Sequence, residues 1–344
     1  MSLSTLPTEL VALIATYLYV GESITFHLPA GQHKSNIVAF SQVSALLRAV
    51  AFSLRHPWTN YTLILSANKS TRAQYAWAER RFAIWKALAR GQPIRLQIIQ
   101  EETHYGVGHL VRFLGKHSHS LSSLVLDIPD ETFVSIAKHT SFPFPSLTTL
   151  LMTLHLKKNG EQTLLPQDRR SRFFAKMPQL QILQLGYSHD DWHPLATLSP
   201  QFYEWDLPLS HLTVFCMPLI WLELPEFLLV LRSAPNLHTC TALVDAPPVY
   251  GHVDDAPFIL DNLKALALTF RMTHPTVWTY FSAPALQVLD ITLITGLNDD
   301  DHEETHAIAP ADVDKFYSEQ PHATGTIVTV YRVVEYAYDE ETNA

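Results

Sequence analysis

Pro178-Gln179-Leu180-Gln181-Ile182-Leu183-Gln184-Leu185 is a phrase that much of the chain repeats. Leu183 and Leu185 are two apart, so in an extended strand they share one face, while Ile182 and Gln184 face the other way. Pro178 ends any helix before it. The same Leu-x-x-Leu-x-Leu-like core starts again at Leu121, Leu147, Leu212, Leu237, Leu263 and Leu286, with Phe, Met, Cys, Ala or Ile at some apolar places. First leucines are spaced by 26, 33, 32, 25, 26 and 23 residues. Pro145, Pro178, Pro235 and Pro284 each stand two residues before a first leucine.

Helical patterns fill the gaps, at 109–117, 131–139, 169–177, 226–234 and 275–283. One strand and one helix per unit predicts an α/β fold with parallel strands. A single unit cannot bury its leucines alone, so the units stack. The alternate strand residues then share the opposite face: Ser123, Val125, Thr149, Leu151, Ile182, Gln184, Val214, Cys216, Thr239, Thr241, Ala265, Ala267, Val288 and Asp290. Of these only Asp290 is charged, and so apolar a face suggests that something covers it. Leu151, Ile182, Gln184, Val214, Cys216 and Val288 are the candidate contacts to a target. Cys240 has the parity of the core leucines and Cys216 the opposite one, so no disulfide is expected between them.

Before the repeats lies Leu6-Pro7-Thr8-Glu9-Leu10, running on as an apolar helix to Leu18. Pro7 suits a first helical turn, and Leu10, Leu13, Ile14, Tyr17 and Leu18 recur at helical spacing. After a polar gap from Tyr19 to Ser35, Phe40 to Ala51 reads as two short helices broken at Ser44, an N-cap residue. The stretch closes on Pro57-Trp58. A strand at 61–65, a helix at 71–89 ended by Gly91, and a strand at 92–99 lead into the repeats. Residues 298–304 form an acidic run, 311–318 a helical pattern and 326–336 an alternating strand pattern.

The 344 residues carry a net charge of -9 and no basic stripe, which argues against a nucleic-acid surface. Two cysteines among 344 residues fit a reducing compartment, and no secretion signal opens the sequence. The most apolar window, 207–231, is interrupted by Pro208, Pro218, Pro225, Glu223 and Glu226, which argues for a core rather than a membrane span. His189-Asp190-Asp191-Trp192-His193 and the cluster from Asp299 to His306 lack known zinc or calcium spacing. No nucleophile elbow, phosphate loop or metalloprotease helix is present, so neither a catalytic site nor a cofactor is expected.

Leu6-Pro7, Glu9-Leu10, the helix from Ile14 to Leu18, Val43-Ser44, Arg48 and Pro57-Trp58 resemble an F-box over residues 6–58. The gap from Tyr19 to Ser35 is long for that family, and Leu47 stands where Trp is common. Residues 94–295 resemble the leucine-rich repeats often joined to an F-box. Pro129, Ser188 and Arg271 stand where those repeats usually carry Asn or Cys.

The resemblance implies a three-helix F-box at 1–60, a linker strand and helix at 61–93, a leucine-rich-repeat solenoid at 94–296, and an acidic loop, cap and tail at 297–344. It implies a substrate-recognition subunit of an SCF ubiquitin ligase. The F-box would bind the Skp adaptor, and through it a cullin scaffold, by Leu6, Pro7, Leu10, Ile14, Val43, Leu46, Leu47 and Arg48. The repeats would hold a protein target, in the cytoplasm and with the nucleus also open. Residues beyond 60 are expected to fold without the first sixty. The alternatives are a non-catalytic leucine-rich scaffold capped by its N-terminal helices, a non-repeat α/β domain, and a hydrolase whose site the sequence does not reveal.

Overall fold

The computed structural model of the chain describes residues 6–19, 21–28, 32–65, 72–100, 107–155, 173–188, 206–245, 257–271, 280–296 and 327–335. The chain divides into two compact units, Met1–Leu180 and Gln181–Ala344. Both are mixed α/β with parallel strands.

The first unit holds α1 (Thr8–Tyr19), β1 (Ile24–Leu28), β2 (Gln32–Lys34), α2 (Asn36–Val43), α3 (Ala45–Ser53), β3 (Asn60–Leu65), α4 (Arg72–Leu88), β4 (Ile94–Gln100), α5 (Val107–His117), β5 (Leu121–Pro129), α6 (Asp130–His139) and β6 (Thr149–His155). Its strands lie in the order β2-β1-β3-β4-β5-β6, with only the β1–β2 pair antiparallel.

Serine caps set the helix starts. Ser44 Oγ accepts from the Leu47 N–H at 3.1 Å, and Ser35 Oγ accepts from the Val38 N–H at 3.4 Å. Trp58 is buried and donates from Nε1 to the Ala51 carbonyl at 3.0 Å, which pins the chain where α3 ends. Gly91 sits at a φ of 80° just beyond α4, where a left-handed residue closes the helix. Gly115 stands inside α5 for a steric reason: a Cβ there would come within 2.7 Å of the Phe142 ring.

The polar gap from Tyr19 to Ser35 is not a plain loop. Ile24, Phe26 and Leu28 are buried on β1, which pairs in parallel with β3 from Ile24↔Tyr61 to Leu28↔Leu65. The N-terminal segment is thus stitched into the sheet, and the packing has no gap at residue 60. Phe26, Tyr61 and Phe82 meet in one aromatic cluster with Trp85. This packing weighs against the expectation that residues beyond 60 fold without the first sixty: removing residues 1–60 would bare Tyr61 and Trp85.

The second unit holds β7 (Ile182–Ser188), β8 (Val214–Glu223), α7 (Leu224–Ser233), β9 (Thr239–Asp245), β10 (Phe258–Ile259), β11 (Ala265–Arg271), β12 (Phe281–Ser282), β13 (Val288–Gly296) and β14 (Ile327–Glu335). Its parallel ladder runs β7-β8-β9-β11-β13-β14, and β10 pairs with β12 apart from it.

The leucine register holds in both units. Leu124, Leu126 and Leu150 are fully buried, as are Leu183, Leu185, Phe215 and Cys240. Each first leucine closes a tight turn. The N–H groups of Leu147, Leu180, Leu237 and Leu286 donate to the carbonyls of Phe144, Met177, Ala234 and Ala283, three residues back. The prolines two before these leucines occupy the second position of that turn, where a fixed φ near -65° is favourable.

Successive turns are tied together. In the second unit the N–H groups of His238, Lys264 and Gln287 donate to the carbonyls of Thr213, His238 and Lys264. Asn236 and Asn262 donate from Nδ2 to the carbonyls of Ser210 and Pro235, at 2.9 and 3.1 Å. Asn and backbone groups before the strand therefore satisfy turn carbonyls.

Two helix expectations change. Within 275–283, Phe281 and Ser282 form β12 instead of a helix end, because their backbone pairs with Phe258 and Ile259. Within 169–177 the described residues form a short 3-10 turn at Phe174–Lys176. Of the long connections expected at 157–168 and 188–208, the first and residues 189–205 of the second lie outside the described residues, as do the acidic run at 298–304 and the helix at 311–318.

Candidate docking surfaces

α1 has two apolar sides, and only one is used. Val11, Ala15 and Tyr19 are buried, which follows from their spacing of four. Leu10, Leu13, Ile14, Tyr17 and Leu18 are exposed by 46, 52, 41, 76 and 60%. A solvated helix rarely shows so many large apolar groups together, and clustered patches of this kind mark interaction sites.

Of the residues expected to meet an adaptor, Pro7, Leu10, Ile14, Val43 and Arg48 are exposed, Leu6 and Leu46 are half-buried, and Leu47 is buried. Leu47 lies inside with Val50 and Ala51, so it supports the helices from within. Arg48 is positioned by its Nε, which donates to the Ser41 carbonyl at 3.1 Å. Leu13, Tyr17 and Leu18 extend the exposed face and were legible as part of the helical stripe.

The second candidate surface is the open side of the strands. In the second unit, register places Ile182, Val214, Thr239, Ala265 and Val288 in one row, and Gln184, Cys216, Thr241, Ala267 and Asp290 in the next. Ile182, Val214 and Cys216 are half-buried, while Gln184 and Val288 are exposed. Leu151 belongs to the first unit, is half-buried and pairs with Val125. This side also carries charge beyond the core phrases: His155 Nε2 and Asp127 Oδ1 lie 2.6 Å apart on β6 and β5.

Both cysteines are free. Burial pushes the Cys216 thiol up from its ordinary value, with the Thr241 hydroxyl pulling weakly the other way, and burial pushes the Cys240 thiol up strongly. Both therefore stay protonated near neutrality.

Among the described residues no three His, Cys, Asp or Glu side chains gather as metal ligands. The clusters at 189–193 and 299–306 lie outside those residues. Among the described residues no helix is long and apolar enough to cross a membrane.

Compared with known proteins, the chain matches no family model, and no curated protein matches it.

Proposed function

We propose that the chain is the substrate-recognition subunit of an SCF-type ubiquitin ligase. α1 and its neighbours bind the Skp adaptor, which leads to the cullin, and the strand face binds a protein target. The observation that carries this reading is the exposed stripe Leu10, Leu13, Ile14, Tyr17 and Leu18, left bare while Val11 and Ala15 fix the helix from behind. It sits in a stretch with F-box spacing, followed by leucine repeats. In this role the protein performs no chemistry; it holds a target lysine near a loaded conjugating enzyme, a gain in effective concentration.

A second reading has a specific observation behind it. The pairing of β1 with β3 favours N-terminal helices that merely cap a leucine-rich scaffold. The bare face of α1 weighs against it, because a cap buries its apolar side.

Co-purification of the full chain with a Skp adaptor tests the choice. The parent should retain the adaptor, and replacing Leu6 and Pro7 together by Ala should release it with melting unchanged. A parent chain that never retains the adaptor supports the scaffold.

A further inference from the structure

On the open side of the second unit, between two register rows, lies a recess of about 200 Å³. Its floor is Ala267 on β11, whose methyl leaves space between Thr241 on β9 and Asp290 on β13. Thr269 and Thr292, directly paired on β11 and β13, bring two more hydroxyls to its wall. β8 contributes Pro218, which falls where its register with β9 slips between Met217 and Trp221.

Asp290 has an odd environment. Its Oδ1 is shielded from solvent and has no hydrogen-bond partner among the described residues. Its register neighbours are Ala267 and Thr329, neither of them basic, and no salt bridge reaches it among the described residues. A shielded carboxylate oxygen without a donor is costly, and the cost is relieved when a cationic donor arrives. One carboxylate with hydroxyls is a poor set for calcium, which takes six to eight oxygens. It suits an ammonium or guanidinium, whose donors can be shared between the carboxylate and the hydroxyls. Leu243 and Pro218 offer apolar wall to the aliphatic stem of such a side chain.

We propose that this recess takes the basic side chain, lysine or arginine, of a protein segment laid across the open strand face. That a protein supplies the cation rests on the target-binding role proposed above; the chemistry of the recess does not. The segment is held by one charge-assisted contact, with Asp290 as its acceptor, and is bordered by the row that holds Val214 and Val288. Specificity for a basic residue then comes from the carboxylate, and the depth of entry from the small side chain of Ala267.

Acetylated alanine pentapeptides with a central arginine, lysine or citrulline, titrated into the full chain and followed by calorimetry or NMR shifts, test this. Saturable binding by the arginine or lysine peptide is expected, with at least tenfold weaker binding by citrulline. Whichever basic peptide binds tighter identifies the head group. Asp290→Asn, a near-isosteric change, should weaken binding at least tenfold while melting no lower than the parent. Ala267→Leu, which keeps the charge and fills the recess, should weaken it as much. Binding by neither basic peptide, equal binding by citrulline, or unchanged binding in both variants would overturn the proposal. Loss of adaptor retention with intact peptide binding would remove only the ligase reading, and the converse would remove only this one.

Discussion

The Phe26 ring on β1 lies 5.3 Å from the Trp85 ring on α4, centroid to centroid. A residue between the first two helices thus completes the core of the domain that follows. Phe26 also stacks on Tyr61 at 6.4 Å and is 2% exposed. Phe26→Ala should therefore destabilise the whole first unit by about 3–5 kcal/mol, the usual range for emptying an aromatic site. Removal of residues 1–60 should cost the first unit its cooperative transition. Denaturant titrations followed by tryptophan fluorescence check both; a truncated chain melting like the parent would mean that β1 is dispensable.

Strand parity makes a sharper demand. Leu183 is fully buried and pairs with Phe215, while its neighbour Gln184 is exposed. Leu183→Asp removes packed atoms and leaves a carboxylate with no partner, a loss of at least about 4 kcal/mol. Gln184→Asp should stay within about 0.5 kcal/mol of the parent, as ordinary surface changes do. Thermal melting of the pair decides it, and equal effects would mean the register is off by one.

The repeats were legible because leucine spacing and the turn prolines carry the same message twice. Leu124, Leu150, Leu183 and Leu266 fall in the core as parity requires. β1 also had a signal, the alternation Ile24, Phe26, Leu28, but its five residues are short and stand in a polar gap. β12 had none, since two residues show no period. The two sides of α1 read as one stripe in sequence; that Val11 and Ala15 win the core depends on which face meets α3. The state of Asp290 could not be read either, because it depends on Ala267, 23 residues away in sequence and adjacent only through strand register.

His117 ends α5 with its ring 4.4 Å from that of Phe82 and 5.0 Å from that of Phe113. Burial, aided by the positive charge of Lys86, pushes it down to about 4, with Glu79 opposing and Lys116 adding a little. The unfolded chain takes up this proton near the ordinary value of about 6.5, and the folded chain does not. The stabilisation is thus whole above about 6.5 and drains away as pH falls towards 4. It amounts to roughly 3 kcal/mol at most. His117→Phe keeps an aromatic ring there and should flatten that part of the stability-against-pH curve, measured by urea unfolding from pH 7 to 4. An unchanged slope would mean that other groups carry it.

The bare side of α1 separates stability from binding. Leu13 and Tyr17 are 52 and 76% exposed, whereas Ala15 between them is fully buried. Leu13→Ser and Tyr17→Ser remove apolar area that the folded chain does not bury, so each should shift stability by no more than about 0.5 kcal/mol. Ala15→Leu inserts methylenes into a closed site and should cost about 1–3 kcal/mol. If the stripe docks a partner, the order reverses for complex formation. Tyr17→Ser then loses a large amphipathic anchor, which at an interface hot spot is worth 2 kcal/mol or more, about thirtyfold in affinity. Co-purification and calorimetry with the Skp adaptor, run beside thermal melts of the same variants, read both quantities. Tyr17→Ser and Leu13→Ser proteins that melt like the parent and still bind with parental affinity would take the partner off α1.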